Sequence, residues 1–492
     1  MTMECRPPRS SRSLLLMAAA LATVGLGIAL VAGWEPGLRG EWVWRGNALP
    51  VQMWPPLAAG ACLAALSALL CRARAWEGMR PLGRGLSLAL LILVVFSLQV
   101  ALLNAVGVPW VTPGAYIVSP NATTYFGVAL DVQSPADWVA RYPELLRTLP
   151  YHAATHPPGF VLFFLAIQRA CAALIQSPSP GLADLATGYS DLFGLGLAPA
   201  DAAAAIAGAL AIALIGALGL LPVYFLSRRL SNPGAAICST CLAASMPGLL
   251  ILGASPDLVV MSLTLLALCL GYCAWRGKSA PLGLLAGFAV AIGLFFTLGF
   301  ALVGAWAALW IVVGALGSAA RGPAFRRALV TGAFGLAGFA VFYLALYLLY
   351  GYQPVAVTIK ALSAHRGITT VEAARTYWKW LLMNPVECAI FAGLPLTVAA
   401  LWSRRALRTP DYARLRAFLI SWLVIFALLD LSGTVRGEVG RIWLFLLWPA
   451  ALAAGAWCAR TPDRRGAVPL LVLLQVTQAL LMKAYLTMYS IL

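Results

Sequence analysis

The chain has 492 residues, 62% of them hydrophobic and only 10% charged, which leaves too little polar surface to coat a water-soluble globule. A formal net charge of +17 would suit a nucleic-acid binder, but the arginines occupy short loops between apolar runs, where the positive-inside rule accounts for them. Soluble and single-span architectures are excluded, and nucleic acid is not an expected partner.

Apolar runs of roughly 17 to 25 residues, each able to cross a ~30 Å hydrocarbon core, recur from Ser13 onward. Arg6, Arg9 and Arg12 precede the run Leu14 to Val31, which is longer than the h-region of a signal peptide and reads as a retained first helix with a cytoplasmic N-terminus. With arginine-rich loops placed inside, spans fall near 13–33, 54–71, 85–107, 201–226, 234–252, 256–275, 281–296, 299–317, 329–350, 385–402, 416–431, 442–459 and 467–488. The expected fold is an all-α polytopic transmembrane bundle of about thirteen spans.

This topology works only if 157–176 does not cross, because a crossing there would put Arg228 and Arg229 outside and invert everything after them. The segment is expected to lie in the outer interface, with Phe160, Phe163 and Phe164 toward lipid and Gln168, Arg169 and Gln176 toward water. The chain then divides into an N-terminal three-helix membrane segment (1–107), a first outer loop with juxtamembrane helices (108–200), membrane helices (201–350), a second outer loop (351–384) and C-terminal membrane helices (385–492) carrying a short outer motif (433–441). All three histidines and most acidic residues fall on or near the outer side, and long polar loops of this kind commonly carry function. The ten cysteines lie mostly in apolar runs, so no disulfide framework is read, and Cys238-x-x-Cys241 reads as packing.

Four groups along the chain have chemical potential. Asp131, Asp137 and Glu144 precede Tyr151-His152-Ala153-Ala154-Thr155-His156-Pro157-Pro158-Gly159, in which the tandem prolines are expected to start a helix with His156 at its N-terminal end, within reach of a lipid phosphate, with His152 and His156, four apart, hydrogen-bonding the loop as the equal alternative. Asp257 follows Ser255 and Pro256 at an expected helix start, a place where an acid is also favoured for capping reasons alone. Lys360, His365 and Arg366 form a cationic group in the second outer loop, open equally to a solvated-loop reading. Arg436 and Arg441 flank Glu438 in a loop of a few residues between two spans; guanidinium groups held there suit phosphate binding, with a structural Arg–Glu pair as the alternative. Glu387 and Asp430 sit near outer helix ends, and Asp201 reads as a cap.

In order, Thr155-His156-Pro157-Pro158-Gly159, Ser227-Arg228-Arg229-Leu230, Ser255-Pro256-Asp257 and Gly437-Glu438-Val439-Gly440-Arg441-Ile442-Trp443-Leu444-Phe445 resemble the GT-C glycosyltransferases, membrane enzymes of the aminoarabinose-transferase and protein O-mannosyltransferase type. The resemblance covers 121–278 as the catalytic half, with the last motif further on. It implies inverting transfer of a sugar from a polyprenyl-phosphate donor to a lipid, glycan or protein acceptor, on the outer face of the cell membrane. It also implies a general base from an outer-loop carboxylate, a role for Asp257 at the floor of the active-site cavity, and a substrate-binding region that takes in Tyr125, His156, His365, Arg366, Arg436, Glu438 and Arg441.

The chain departs from the family where an acid is expected, since it reads Asn121-Ala122-Thr123-Thr124-Tyr125. Asp131 is the nearest substitute for the base, with Asp137 and Glu144 as alternatives. Members of the family differ over a divalent cation, and no ligand set with metal spacing is visible here. The competing class is a secondary transporter or lipid flippase. Against it, the two halves show no repeat and the ionisable residues gather outside rather than at the midplane.

Overall fold

The computed structural model describes residues 10–33, 43–44, 52–72, 76–371, 375–460 and 465–487. Each apolar run expected to span contains a helix among the described residues. Among the described residues, eight helices are long and apolar enough to cross a membrane, and the bent pair Tyr377–Ala392 and Leu394–Trp402 makes a further candidate. Shorter apolar helices, Trp54–Leu70, Pro233–Ala244, Ala280–Phe296 and Leu444–Cys458 among them, fill out the bundle. The protein is an all-α, multi-pass membrane protein. Its described strand pairing is confined to Val43–Trp44 against Leu486–Thr487.

Small residues set how closely the helices approach. A Cβ on Gly287 would lie 1.7 Å from the Gly335 carbonyl oxygen, and one on Gly338 would lie 2.0 Å from that of Leu284. Ala280–Phe296 and Arg321–Tyr350 therefore meet backbone to backbone, as membrane helices do where hydrophobic burial gives no net drive to associate. The outer faces of Arg321–Tyr350 remain apolar and exposed, as a lipid-facing helix requires.

The segment 108–200 folds into six helices, Val111–Val118, Tyr125–Leu130, Pro135–Leu145, Tyr151–Thr155, Gly159–Leu174 and Pro180–Phe193. Gly159–Leu174 has 16 residues, about 24 Å at 1.5 Å per residue and short of a ~30 Å core. The expected orientation of its phenylalanines is corrected. Phe160 and Phe164 are buried, Phe160 against Tyr125 (5.2 Å between ring centroids) and Phe296 (4.7 Å), Phe164 against Phe126 (5.8 Å). Gln168 is buried with them and donates to the Phe126 carbonyl at 3.1 Å, while Arg169 stays exposed. The helix has its own aromatic partners within the protein, so its apolar face turns inward; sequence periodicity reports that a face is apolar, not what covers it.

The sharpest departure from regular structure is the 102° bend between Tyr377–Ala392 and Leu394–Trp402. Gly393, at φ +103°, makes the turn in a region that side chains disfavour. The backbone groups freed there are taken up by one side chain: Gln478 accepts from Leu394 N at 2.8 Å and donates to the Ile390 carbonyl at 2.7 Å. Beside it, Gln475 donates to Ser245 Oγ at 2.8 Å and closes the space over Gly393. Replacing Gln478 by Leu leaves Leu394 N unpaired and takes one of two donors from the Ile390 carbonyl, which Gly393 N still serves at 3.1 Å, and should cost about 1–3 kcal/mol, read as a lowered thermal midpoint in detergent. An unchanged midpoint would show that the bend does not depend on this clamp.

Candidate active site

The late motif turns within a few residues. Helix Ala413–Ser432 ends, and the chain must re-enter the bundle through Val439–Ile442. It does so through three left-handed residues, Gly433 (φ +60°) at the end of the helix and then Gly437 (φ +85°) and Glu438 (φ +57°) in succession. A Cβ at Gly437 would strike the Trp380 ring at 2.8 Å and Arg375 Nη1 at 2.9 Å, so only glycine fits. For Glu438 the conformation costs roughly 1–2 kcal/mol, and it aims the carboxylate inward. One oxygen accepts from Arg441 Nη2 at 2.5 Å and the other lies 3.8 Å from Arg375 Nη2.

Arg441 completes the arrangement. Its Nη1 stands 3.7 Å from Asp257 Oδ2, so the guanidinium, with 14% of its side chain exposed, sits between two carboxylates from distant parts of the chain. Asp257 begins helix Asp257–Gly277, where the positive end of the helix dipole favours its charge. The hydroxyl of Ser255 donates to the same oxygen at 2.7 Å.

The histidine motif forms the facing wall. His156 is not at a helix N-terminus: Tyr151–Thr155 ends just before it, and the next helix begins at Gly159. The Pro157-Pro158 pair forces extended backbone at His156, and Tyr142 fastens this corner by donating to the carbonyls of Ala153 (2.9 Å) and His156 (2.8 Å). His156 Nδ1 lies 3.0 Å from the His152 carbonyl oxygen. Tyr125 packs between the rings of His152 (6.2 Å) and His156 (6.0 Å).

These groups share one electrostatic environment. Burial, then the charge of Asp257, raises the Tyr125 phenol, so it stays a neutral hydrogen-bond donor. Burial and the nearby Arg441 hold His152 down to about 3, and its Nδ1 is buried without a hydrogen-bond partner. Burial, His365 and Arg441 lower His156 to about 4, against the support of its backbone hydrogen bond. A guanidinium, a carboxylate, a phenol and two neutral imidazoles thus meet at the start of a membrane helix.

Several expected residues lie elsewhere. Asp131 is exposed at the C-cap of Tyr125–Leu130 and forms no ion pair among the described residues. Six residues beyond Tyr125, it sits about 240° around the helix, away from the face Tyr125 presents. Asp137 is exposed in a helix first turn, and Glu144 pairs with Arg141 at 4.0 Å in solvent. Arg436 does not face the carboxylates: it donates to the carbonyls of Arg375 (2.7 Å) and Gly433 (3.1 Å) and lies over the Tyr377 ring. The expected arginine pair is therefore one site-facing arginine and one that braces the loop. His365, on helix Pro354–Val371, is half-buried and within electrostatic reach of His156; the side chain of Arg366 lies outside the described residues. Lys360 donates to the Pro143 carbonyl at 3.0 Å. Asp430 and Glu387 are buried beneath the late motif and bonded to it through Asn384 and Gly440 N.

Arg375 and His152 enter the cluster although the sequence marked neither for it. Arg375 belongs to no motif; His152 stands inside one, but only the fold brings it beside Arg441 and Glu438. Among the described residues no group of three His, Cys, Asp or Glu side chains is arranged to hold a metal ion. Asp257 and Glu438 both flank Arg441, and the guanidinium lodged between them does not fit a divalent cation there.

No family model and no curated protein matches the chain. Among solved structures, the Archaeoglobus fulgidus oligosaccharyltransferase, crystallised in complex with zinc and sulfate, is similar over 79% of this chain and 53% of that one, with 13% sequence identity and a TM-score of 0.42. This chain spans about half the length of that protein.

The imidazole shifts have a definite sign. Both folded values, about 3 and about 4, lie below the ~6.5 of a solvated histidine, so the unfolded chain binds more protons in between. The stability these residues contribute is complete above about pH 6.5 and is lost as pH falls toward 4. The thermal midpoint should decline from pH 7 to 4.5, and His152→Asn with His156→Asn should flatten that decline; an equal slope in the double variant would count against buried neutral imidazoles.

Proposed function

We propose that the chain is a membrane glycosyltransferase that moves a sugar from a polyprenyl-phosphate donor to an acceptor hydroxyl at the outer face of the cell membrane, with inversion. The carrying observation is Arg441, confined between Asp257 and Glu438 at the head of a membrane helix, with Tyr125, His152 and His156 around it. The resemblance of the motif order to the GT-C enzymes supports the same reading.

In this proposal Asp257 is the general base. Asp131, Asp137 and Glu144 lie outside the cluster, whereas Asp257 lies against the cation that a departing phosphate needs. As the acceptor oxygen bonds to the anomeric carbon, its proton passes to the Asp257 carboxylate. The bond from that carbon to the phosphate oxygen breaks, and its electron pair leaves with the phosphate. Arg441 and the neutral Tyr125 hydroxyl donate to the oxygens on which charge accumulates. Glu438 balances Arg441 before the donor arrives and keeps the guanidinium in place.

Transport fits less well. Glu387 and Asp430, two of the acids that could line a path through the membrane, are engaged in holding the loop that carries Arg441, Glu387 by accepting from Gly440 N and Asp430 by accepting from Asn384, which bonds the loop in turn.

Purified protein given a panel of polyprenyl-phosphate sugars should release polyprenyl phosphate when an acceptor is present. Asp257→Asn should lower kcat by about 100-fold or more with normal expression, and Arg441→Lys, which loses the planar fork, by about tenfold or more. Asp131→Asn should stay within about twofold, since exposed surface positions are usually tolerant. Normal turnover by Asp257→Asn would remove it as the base, and no turnover with any donor would reject the transferase assignment.

A further inference from the structure

Beneath the motif loop, helix Tyr377–Ala392 carries two buried polar side chains one turn apart. Asn384 and Glu387 are each 1% exposed, and at i, i+3 they project from the same face. Asn384 donates to Asp430 Oδ1 at 2.9 Å and to the Val435 carbonyl at 3.1 Å, and its own oxygen accepts from Gly437 N at 3.1 Å. Glu387 accepts from Gly440 N at 2.8 Å.

The two amides gripped in this way bracket the left-handed turn. Gly437 and Glu438 have positive φ, Gly440 follows two residues later, and Arg441 comes next. Asp430 lies on the preceding helix, Ala413–Ser432. By holding the amide nitrogen of Asn384, it turns the amide oxygen toward Gly437. A two-point clamp on one rigid helix therefore sets the turn that sends Glu438 to Arg375 and Arg441, and Arg441 to Asp257.

We infer that Asn384 and Glu387 are positioning residues for transfer: they touch no substrate, and they act by holding the 437–440 backbone so that Arg441 faces Asp257. The inference rests on the transferase proposal for its kinetic consequence, but its structural content stands apart from it. A buried carboxylate and carboxamide with only a packing role would leave loop exchange and the coupling to Arg441 unmoved.

The first test needs no substrate. In amide hydrogen exchange on the full-length protein in detergent, the peptide covering 433–442 should exchange about tenfold or more faster in Asn384→Leu and in Glu387→Met, which removes the acceptor at nearly constant volume. Glu387→Gln, which keeps an acceptor and drops the charge, should remain within about threefold of wild type. If Asn384→Leu fails to accumulate, the Glu387→Met and Glu387→Gln pair decides the matter alone. Equal protection in Met and Gln variants would overturn the clamp.

The second test is kinetic. Glu387→Met should lower kcat by about tenfold with donor KM within about threefold, and the same change in an Arg441→Ala background should cost nothing further, because residues acting through one group are non-additive. Full additivity would show that Glu387 does not act through Arg441. If wild-type protein turns over no donor, the transferase proposal fails, while the exchange result still decides the clamp.

Discussion

Inside a bilayer no water is available to a backbone amide, and each N–H or C=O left unpaired costs several kcal/mol. Most of this chain answers that constraint by being helical. Where the helix must stop, a side chain takes over. Gln478 serves the two groups freed at the Gly393 bend, Gln168 serves a carbonyl at Phe126, and Asn384 and Glu387 serve amides of the loop at 433–441. These four buried side chains serve backbone at or near the ends of helices, where irregular backbone survives because it is buried in protein rather than in lipid.

The same constraint shapes the site. A left-handed glutamate is uphill by itself, and a guanidinium, two carboxylates and two imidazoles would be costly neighbours in an apolar surrounding. Asp257, Arg441 and His156 persist there because each is held by fixed partners. Asp257 has a helix N-terminus and the Ser255 hydroxyl; Arg441 has two carboxylates; His156 has the His152 carbonyl and a corner fastened by Tyr142. Burial keeps the imidazoles uncharged beside Arg441, so the positive charge stays on the guanidinium. A group leaving with negative charge would meet that charge already in place, with little reorganisation left to pay.

Hydropathy and charge exposed much of the architecture. Span-length apolar runs between arginine loops marked the helices, and proline, glycine and serine at their ends marked many of the breaks. Of the site, Asp257, His156, Tyr125, Glu438 and Arg441 stood in legible motifs. The base assignment to Asp131 followed from proximity in sequence to Tyr125, and proximity along the chain does not decide which way a short helix faces. Arg436 and Arg441 looked equivalent for a similar reason: their spacing is visible, but the left-handed turn between them, which points one inward and folds the other onto backbone carbonyls, is not.

The sequence by itself determined that this chain is an all-α membrane protein, because the length and composition of apolar segments are local properties that a bilayer reads directly. It also determined which segments are rich in ionisable groups. Tertiary structure alone decided that Asp257, Arg441 and His152 meet, that Arg375 joins them, and that the phenylalanines of Gly159–Leu174 pack inward. Those outcomes depend on helix rotation, on a 102° bend and on three polar clamps, each set by contacts between residues far apart in the chain, which no local pattern encodes.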